Sequence, residues 1–421
     1  MSAIASHIEL SNAKGFDDLY AFVESLALPR KIFLMVPAGI IVDTVVNQLK
    51  PLLHPGDIIM DGGNSHFKDT ERRQTELVKV GIHFIGIGVS GGEQGALHGP
   101  AIMPGGEVTA YLAIEPILNA IAAKDKDGKP CSGYIGTGGS GHFVKMIHNG
   151  IEYAEMQLLS EVYWLLKKGL NKSNEEIAQV LESWSSTELA SYLLEITIKV
   201  LRHKTDGAYT IDQIADIGGS KGTGGWSLTA AADLGIPATL ISEALFARYV
   251  SSFKKERTLF GRQMNASITV MQIDDDQIKQ AYTLARWINH HQGIEILHAA
   301  SNQYGWKLDL SETARIWTSG CIIRSKMMES LSIILKENSN ILSNQIKMIN
   351  DFKPGLIQTV SKALTMELAV PCLSSALNYL LAYTSSESPA NLIQAQRDFF
   401  GAHTYRKVDD PFGKSYHTEW E

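Results

Sequence analysis

Short apolar runs alternate with helical patterns along the first third of the chain. The apolar runs cover residues 31–36, 57–60 and 82–87, and helical patterns extend to residue 53 and over about 68–80. Short buried strands that alternate with helices are typical of a parallel, doubly wound sheet. The pattern therefore predicts an α/β domain with such a sheet over residues 1–138.

From residue 141 onward the pattern changes to long helical segments with almost no strand signal. These segments are 143–169, 174–186, 188–202, 228–233, 239–258 and several between 274 and 385. We therefore predict a separate, large all-α domain over residues 139–387. The remaining stretch, 388–421, opens with a short helix around 394–398 and is then rich in Gly and aromatic residues, which predicts an irregular C-terminal tail.

Gly and small polar residues follow each predicted strand, at positions 37–39, 61–64 and 88–92. In doubly wound sheets, ligands bind beyond the carboxyl ends of the strands. These three turns are therefore the expected ligand-binding edge of the first domain.

Two Gly-x-Gly-x-x-Gly strings, at 86–91 and 136–141, invite a dinucleotide-binding interpretation. That fingerprint requires a strand, a glycine turn and a helix within one βαβ unit. Residues 92–106 contain many Gly and Pro residues, and we expect that they cannot open a helix. The second string lies at the domain junction with no strand after its helix, so we interpret neither string as the fingerprint.

Composition and charge exclude several classes of function. The chain has 421 residues, a formal net charge of −7 and 44% hydrophobic residues. A net negative charge argues against general nucleic-acid binding, so an anionic substrate would need a local cluster of Lys and Arg. Cys131, Cys321 and Cys372 fit no zinc spacing and favour a reducing compartment. With neither a signal peptide nor a membrane span visible in the sequence, we expect a cytoplasmic protein.

One helical stretch, residues 141–157, places four polar side chains on one face. Lys145 is followed at three, four and seven residues by His148, Asn149 and Glu152, which are neighbours on a helix surface. The rest of the circumference is apolar, so burial is expected. Burial lowers the pKa of a lysine and raises that of a glutamate, which suits a basic amine and an acidic carboxyl. The alternative is an ion-paired helix in a large core.

This stretch and several others resemble 6-phosphogluconate dehydrogenase (decarboxylating). The matching segments are DGGNS at 61–65, GVSGGEQGA at 88–96, GPAIMPGG at 99–106, GHFVKMIHNGIEY at 141–153, KGTGGW at 221–226, EALFAR at 243–248, GCIIR at 320–324 and PANLIQAQRDFFGAHTY at 389–405. Several long motifs in the family's order are more specific than any single signature. The chain is therefore identified as a member of this family, with a Rossmann-like first domain.

The resemblance implies oxidation and decarboxylation of 6-phosphogluconate to ribulose 5-phosphate with NADP, in a homodimer and without a metal. At the matching positions, Lys145 is the family's base and Glu152 the acid that protonates carbon after CO₂ is lost. The carboxylate end of the substrate matches Asn64, Ser90, Gly91, Gly92, His148 and Asn149. The phosphate end matches Tyr153, Lys221, Thr223 and Arg248, with Arg397 and His403 from the tail of the partner subunit.

Without the resemblance, two of the phosphate-end arginines have simpler interpretations. Arg248 alone would be interpreted as a solvated charge on a helix, and Arg397 lies in a commonplace helical Gln-Arg-Asp string. Lys221 is harder to dismiss because neither a helix face nor an ion-pair spacing explains it. Arginine suits a phosphate because its planar fork can bond two oxygens at once.

The start of the chain departs from the family pattern. The family opens with a strand, glycine turn and helix for the pyrophosphate, and then a strand ending in Asn-Arg-Ser/Thr for the 2′-phosphate. Residues 11–18 already correspond to the segment after these parts, so a βαβ start of roughly 30 residues is expected to be missing. Pro37 also stands where many members have Lys. The cofactor contacts that match are Val36, Pro37, Ala38 and Asn64.

Three functions therefore compete. The first is an active, NADP-dependent 6-phosphogluconate dehydrogenase, which the retained site residues favour. The second is a cofactor-incompetent remnant that dimerises and binds 6-phosphogluconate without turnover. For this chain, the N-terminally incomplete first domain favours the second function. The third is another β-hydroxyacid dehydrogenase, which Lys221, Arg248 and the tail residues disfavour.

Overall fold

The computed structural model describes residues 13–219, 222–264 and 274–420, without the side chain of Thr223. The chain divides into one compact unit that ends at Ala376 and a second that begins at Leu377. The domain boundaries predicted after residues 138 and 387 stay predictions.

The first unit begins with a four-stranded sheet in the spatial order β1-β2-β3-β4. Its strands are β1 Lys31–Leu34, β2 Ile58–Asp61, β3 His83–Ser90 and β4 Ala101–Gly105. The three strands predicted from the sequence are confirmed, and they pair in parallel. β4 was not predicted, and it pairs with β3 in the antiparallel direction. The connection between them, residues 91–100, is shorter than the dozen or so residues that a parallel crossover needs.

Helices cover both faces of this sheet. They are α1 Leu19–Glu24, α2 Ile40–Leu49, α3 Phe67–Leu77, α4 Gly92–His98 and α5 Val108–Ile121. One apolar core holds Val42 and Leu49 against Ile32, and another holds Ile114 against Ile85. The expectation that residues 92–106 cannot open a helix is wrong at α4. Helix formers occupy four of positions 93–97, with Gly95 as the exception, and the other glycines lie at the two ends of the helix.

The helical part of the first unit is built around one long buried helix, α6 Ser140–Trp164. α6 contacts β3 and β4 of the sheet as well as α9, α10 and α12. The helices after α6 are α7 Asn174–Trp184, α8 Tyr192–Arg202, α9 Thr223–Asp233, α10 Thr239–Ser252, α11 Lys254–Gln263, α12 Asp275–Tyr304, α13 Leu310–Ile316, α14 Lys326–Ile334, α15 Ile346–Thr365 and α16 Pro371–Tyr383, which continues into the second unit. A hairpin of β5 Lys204–Thr205 and β6 Ala208–Tyr209 interrupts them.

Glycines bring α6 unusually close to the sheet. A Cβ added at Gly88 of β3 would lie 2.5 Å from the Lys145 Cβ, and one at Gly141 would lie 2.5 Å from the Gly86 carbonyl oxygen. These contacts leave no room for a side chain. Gly86 and Gly88 lie inside β3 and Gly141 inside α6, so glycines of both Gly-x-Gly-x-x-Gly strings serve strand–helix packing. The strand that follows α4 runs antiparallel to β3, so the first string does not lie in a βαβ unit.

The second unit contains α17 Ala390–Gly401, which confirms the short helix predicted there. The residues after it are ordered around the buried carboxylate of Asp398. Asp398 accepts hydrogen bonds from the backbone N–H groups of Thr404 and Thr418, at 2.9 and 3.0 Å. The Trp420 indole donates to it at 2.9 Å, and the His417 ring lies at 3.0 Å. The tail therefore folds back on its own helix.

Over the described ranges, none of the helices has both the length and the apolar character required to cross a membrane.

Candidate active site

α6 brings the four predicted polar residues together on one face. The Lys145 side-chain amine donates to the Asn149 Oδ1 at 2.7 Å and lies 3.4 Å from the His148 Nδ1. Lys145 is only 7% exposed, and His148 is completely buried. The apolar remainder of the helix holds these groups inside the protein, as the sequence predicts.

Burial shifts the pKa values of the predicted base and acid in the expected directions. Burial lowers the pKa of Lys145 below its ordinary value of 10.5, although the nearby Glu152 carboxylate acts in the opposite sense. Burial raises the pKa of Glu152 above 4.5, against the opposing charges of Lys145 and Arg248. Both predicted directions are confirmed. The shifts favour a neutral amine and a protonated carboxyl in one site.

His148 joins α6 to the end of β3. Its Nε2 lies 3.2 Å from the Ser90 hydroxyl, and its Nδ1 lies 3.7 Å from the Glu152 carboxylate. Burial lowers the pKa of His148 well below 6.5, and the charge of Lys145 lowers it further. The imidazole is therefore neutral, and its approach to Glu152 is not an ion pair. A neutral ring can act as one hydrogen-bond donor and one acceptor.

The turn after β3 presents backbone N–H groups beside His148. Gly91 and Gly92 have φ values of 146° and 57°, in the range that favours glycine. A Cβ at Gly91 would lie 2.5 Å from the Gly320 carbonyl oxygen, so only glycine fits there. Successive backbone N–H groups in such a turn are suited to holding an anion.

Tyr153 of α6 and Arg248 of α10 form a second group of polar side chains. Tyr153 lies eight residues after Lys145, or just over two helical turns along α6. The Arg248 guanidinium stacks 3.6 Å above the Tyr153 ring, and its Nη1 donates to the Gly219 carbonyl oxygen at 3.5 Å. A Cβ at Gly224 would lie 2.8 Å from the Tyr153 ring, which places the start of α9 beside this pair. Arg248 is therefore not the freely solvated charge that its sequence position alone would indicate.

The other four residues predicted for the phosphate end stay predictions. Lys221 and the Thr223 side chain lie outside the described residues. Arg397 and His403 belong to the second unit, where both side chains are exposed.

The predicted cofactor contacts lie on two loops at the carboxyl ends of β1 and β2. Pro37, Ala38 and Asn64 are exposed there, and Val36 is partly buried. A Cβ at Gly63 would lie 2.9 Å from the Val36 carbonyl oxygen, so the two loops touch. The binding of a ligand by these two loops stays a prediction.

The segment 317–322 completes the surroundings of His148 and was not assigned a role from the sequence. The buried Trp317 ring meets the His148 ring edge-on at a centroid distance of 5.4 Å, and the Ile322 N–H approaches the Ser90 hydroxyl at 3.5 Å. Burial raises the pKa of the Cys321 thiol to about 12, so this thiol is protonated. The GCIIR string made residues 320–324 part of the family resemblance. The spacing of residues along the sequence did not show that this segment contacts His148 and Ser90.

Within the ranges the structure describes, no three His, Cys, Asp or Glu side chains are grouped so that they could hold a metal ion.

Two family models match the chain. The model for the 6-phosphogluconate dehydrogenase C-terminal domain matches residues 141–420, and that for the NAD binding domain of 6-phosphogluconate dehydrogenase matches residues 2–136. The chain is 46% identical over 409 residues to 6-phosphogluconate dehydrogenase, decarboxylating, of Escherichia coli (strain K12), covering 95% of this chain and 87% of the relative. The relative of the same name from Haemophilus influenzae is 42% identical over 433 residues, covering 100% and 88%.

The fold is also similar to a solved structure of 6-phosphogluconate dehydrogenase from Plasmodium falciparum. The TM-score is 0.92 at 37% sequence identity, over 96% of this chain and 89% of the other. That enzyme is described in its apo form, with its cofactor NADP⁺ and with its substrate 6-phosphogluconate.

Proposed function

The chain belongs to the 6-phosphogluconate dehydrogenase family, and from this premise we propose that it converts 6-phosphogluconate to ribulose 5-phosphate and CO₂ with NADP. The observation that supports this function most directly is the buried face of α6. There an amine with a lowered pKa and a carboxyl with a raised pKa share one helix face with a neutral histidine. Such opposed shifts are typical of acid–base catalysis.

In the oxidation step, Lys145 acts as the general base. Its neutral amine takes the proton of the C3 hydroxyl while the C3 hydrogen leaves as hydride. NADP, when bound, supplies the hydride acceptor. Lys145 becomes an ammonium, which its hydrogen bond to the Asn149 amide oxygen stabilises. The product of this step is a β-keto acid.

In the decarboxylation step, the bond between C1 and C2 breaks and its electron pair moves toward the C3 carbonyl. The Lys145 ammonium returns its proton to that oxygen, which gives a neutral enediol. Glu152 then protonates the former C2, which becomes C1 of ribulose 5-phosphate, as the enediol hydroxyl gives its proton back to Lys145. Glu152 is suited to this because burial keeps its carboxyl protonated to a higher pH than usual.

The two ends of the substrate need different partners. The N–H groups of Gly91 and Gly92, with Ser90, His148 and Asn149, suit the carboxylate end. Tyr153 and Arg248, with Lys221 and Thr223, suit the phosphate end. A stacked guanidinium suits the second role because it is held in place and keeps donors for a phosphate.

The two loops at the ends of β1 and β2 suit NADP. Pro37, Ala38 and Asn64 are exposed there, and α2 begins at Gly39 without a side-chain cap. Backbone N–H groups at an uncapped helix start favour a polar or anionic ligand. We assign Val36, Pro37, Ala38 and Asn64 to cofactor contacts, with Asn64 also facing the substrate.

We further propose that the protein is a homodimer in which the tail completes the partner's site through Arg397 and His403. α10 and α11 expose Phe246, Val250, Phe253 and Phe260, and large exposed apolar faces are typical of interfaces. The second unit likewise exposes hydrophobic side chains, including Phe412. Mixing Arg397→Ala chains with Lys145→Met chains should restore activity in confirmed heterodimers, and no recovery would contradict the shared site.

A cytoplasmic location and a place in the pentose phosphate pathway complete the proposal. Cys131, Cys321 and Cys372 are all buried and unpaired, as expected in a reducing compartment.

The remnant hypothesis is not favoured. The NAD binding domain model matches residues 2–136, and relatives at 42–46% identity are decarboxylating 6-phosphogluconate dehydrogenases. The expectation of a cofactor-incompetent chain, drawn from the departure at its start, therefore gives way to the active enzyme.

Substrate discrimination tests the proposed function against another β-hydroxyacid dehydrogenase. Calorimetric titration should show that gluconate, which lacks the phosphate, binds at least roughly a hundredfold more weakly than 6-phosphogluconate. Arg248→Gln should reduce this difference in affinity between the two ligands, because the substitution weakens mainly the binding of the phosphate group. Equal affinity for the two ligands would contradict a sugar-phosphate substrate.

A further inference from the structure

One buried arginine of α3 contacts elements that lead into both cofactor loops. The Arg73 side chain is 1% exposed although it has a permanent charge. We propose that Arg73 is a positioning residue that holds the loop at 36–39 and the loop at 61–65 in the arrangement that binds NADP. This inference rests on the proposed function and adds to it a residue that makes no contact with substrate.

Arg73 binds the first loop where it enters α2. Its Nη2 donates to the Gly39 carbonyl oxygen at 3.0 Å, and its Nε and Nη2 donate to the two Asp43 carboxylate oxygens at 2.8 and 3.1 Å. Gly39 has a φ of 89°, so it makes the turn between the loop and the helix. The guanidinium thereby fixes both the last residue of the loop and the first turn of the helix.

The same guanidinium faces the second loop through Asp61. Its Nη1 lies 3.8 Å from the Asp61 Oδ2, and both side chains are almost completely buried. Asp61 in turn organises its own loop, because it accepts from the Gly63 N–H at 3.0 Å and from the Ser65 hydroxyl at 2.6 Å. Among the described residues, Arg73 Nη1 makes no hydrogen bond. It therefore acts on Asp61 through charge attraction.

The two loops also touch each other, so their positions are coupled. The Gly62 N–H donates to the Leu34 carbonyl oxygen at 3.0 Å, and Gly63 lies against the Val36 carbonyl oxygen. A shift of Arg73 would therefore displace Val36, Ala38 and Asn64 relative to one another. Misplacement of about an ångström is enough to weaken a site of this kind.

The neighbouring arginine offers a matched control. Arg72 also bonds both Asp43 oxygens, at 2.9 and 3.1 Å, but its side chain is 44% exposed. In the described part of the chain its contacts are with Asp43, Asp69 and Glu76, and none is with either loop. A Lys at position 72 keeps the ion pair with Asp43. A Lys at position 73 keeps the charge but loses the planar fork that reaches Gly39, Asp43 and Asp61 together.

The test compares Arg73→Lys with Arg72→Lys in the full chain, using calorimetric titration with NADP⁺ and with 6-phosphogluconate separately. Arg73→Lys should weaken NADP⁺ binding by roughly tenfold or more, the equivalent of one hydrogen bond to a charged group. The variant's affinity for 6-phosphogluconate should fall much less, by no more than about threefold, because Asn64 is the only residue of the two loops that is also assigned to the substrate. Steady-state rates should show the KM for NADP⁺ rising more than kcat falls. Arg72→Lys should change neither affinity.

A second variant keeps the proposal testable if Arg73→Lys unfolds. Asp61→Asn removes the charge that faces Arg73 and should also weaken NADP⁺ binding, with a much smaller loss of 6-phosphogluconate binding. Unchanged NADP⁺ affinity in either folded variant, or an equal loss for both ligands, would overturn the positioning role. An original chain that binds 6-phosphogluconate but no NADP⁺ would instead overturn the proposed function, and the inference with it.

Discussion

Replacing Lys145 by Met tests the assignment of the general base. Methionine has a similar length and is apolar, so it fills the buried space without offering a basic nitrogen. Lys145 is 7% exposed, and its amine makes one short hydrogen bond, to Asn149. The substitution therefore removes one polar group and one hydrogen bond from the interior.

The expected effect on stability is small. A hydrogen bond between neutral groups contributes about 1 kcal/mol net, and removing a buried amine that is costly to desolvate offsets part of it. The free energy of unfolding should change by about 1 kcal/mol or less. The effect on catalysis should be far larger, because a positioned base contributes roughly 10²–10⁴ in rate, or about 3–5 kcal/mol of barrier.

The assay follows NADPH formation with saturating NADP⁺ and 6-phosphogluconate, alongside calorimetric titration of the sugar phosphate. We expect kcat to fall by roughly 10²–10⁴ while the Kd for 6-phosphogluconate changes by less than about fivefold, because proton abstraction belongs to the transition state. Lys168→Met is the control, because Lys168 lies just beyond α6 with its side chain exposed over Trp164.

A Lys145→Met enzyme that kept kcat within about threefold of the original would refute the assignment of the base. A loss of thermal stability large enough to unfold the Lys145→Met variant would refute the argument that the amine contributes little to the free energy of unfolding.

Three further predictions concern other acids. Glu152→Gln should slow ribulose 5-phosphate formation by roughly 10²–10⁴ without a matching loss of 6-phosphogluconate affinity, as product chromatography and titration would show; near-normal product formation would contradict its role. Burial raises the pKa of Glu161 from 4.5 to about 7, so between these pH values the folded state binds more protons than the unfolded state. The free energy of unfolding should therefore fall as pH rises through this range. Glu161→Gln should flatten this dependence on pH in urea unfolding, and an unchanged dependence would contradict the prediction. Burial alone would raise the pKa of Asp398, but hydrogen bonds from His417 and neighbouring groups lower it from 3.8 to about 2. The contribution of Asp398 to stability should therefore be present above pH 3.8 and lost toward pH 2. Asp398→Asn should speed hydrogen exchange over residues 390–420 at neutral pH.

The helix face of the site could be predicted from the sequence because it depends on local spacing. Lys145, His148, Asn149 and Glu152 share one face of any helix that contains them, and the apolar remainder required burial. The three parallel strands were predictable for the same reason, since a short apolar run between turn residues has few other structures available.

Features that depend on contacts distant in sequence could not be predicted in this way. The direction of β4 follows from how a ten-residue connection closes, and nothing in the string Ala101–Gly105 specifies it. The contacts of Trp317 with His148 and of Arg73 with Gly39 join segments far apart in the chain. Arg73 also lies beside Arg72 in a charged helix, so the sequence does not distinguish the buried arginine from the exposed one.

We propose that this chain catalyses both hydride removal and decarboxylation. The most direct measurement is the simultaneous yield of NADPH and CO₂ when the purified chain is given a limiting amount of 6-phosphogluconate with excess NADP⁺. We expect equal yields of NADPH and CO₂, with ribulose 5-phosphate as the remaining sugar. Binding of 6-phosphogluconate without formation of either product would contradict it, as would NADPH formation without release of CO₂.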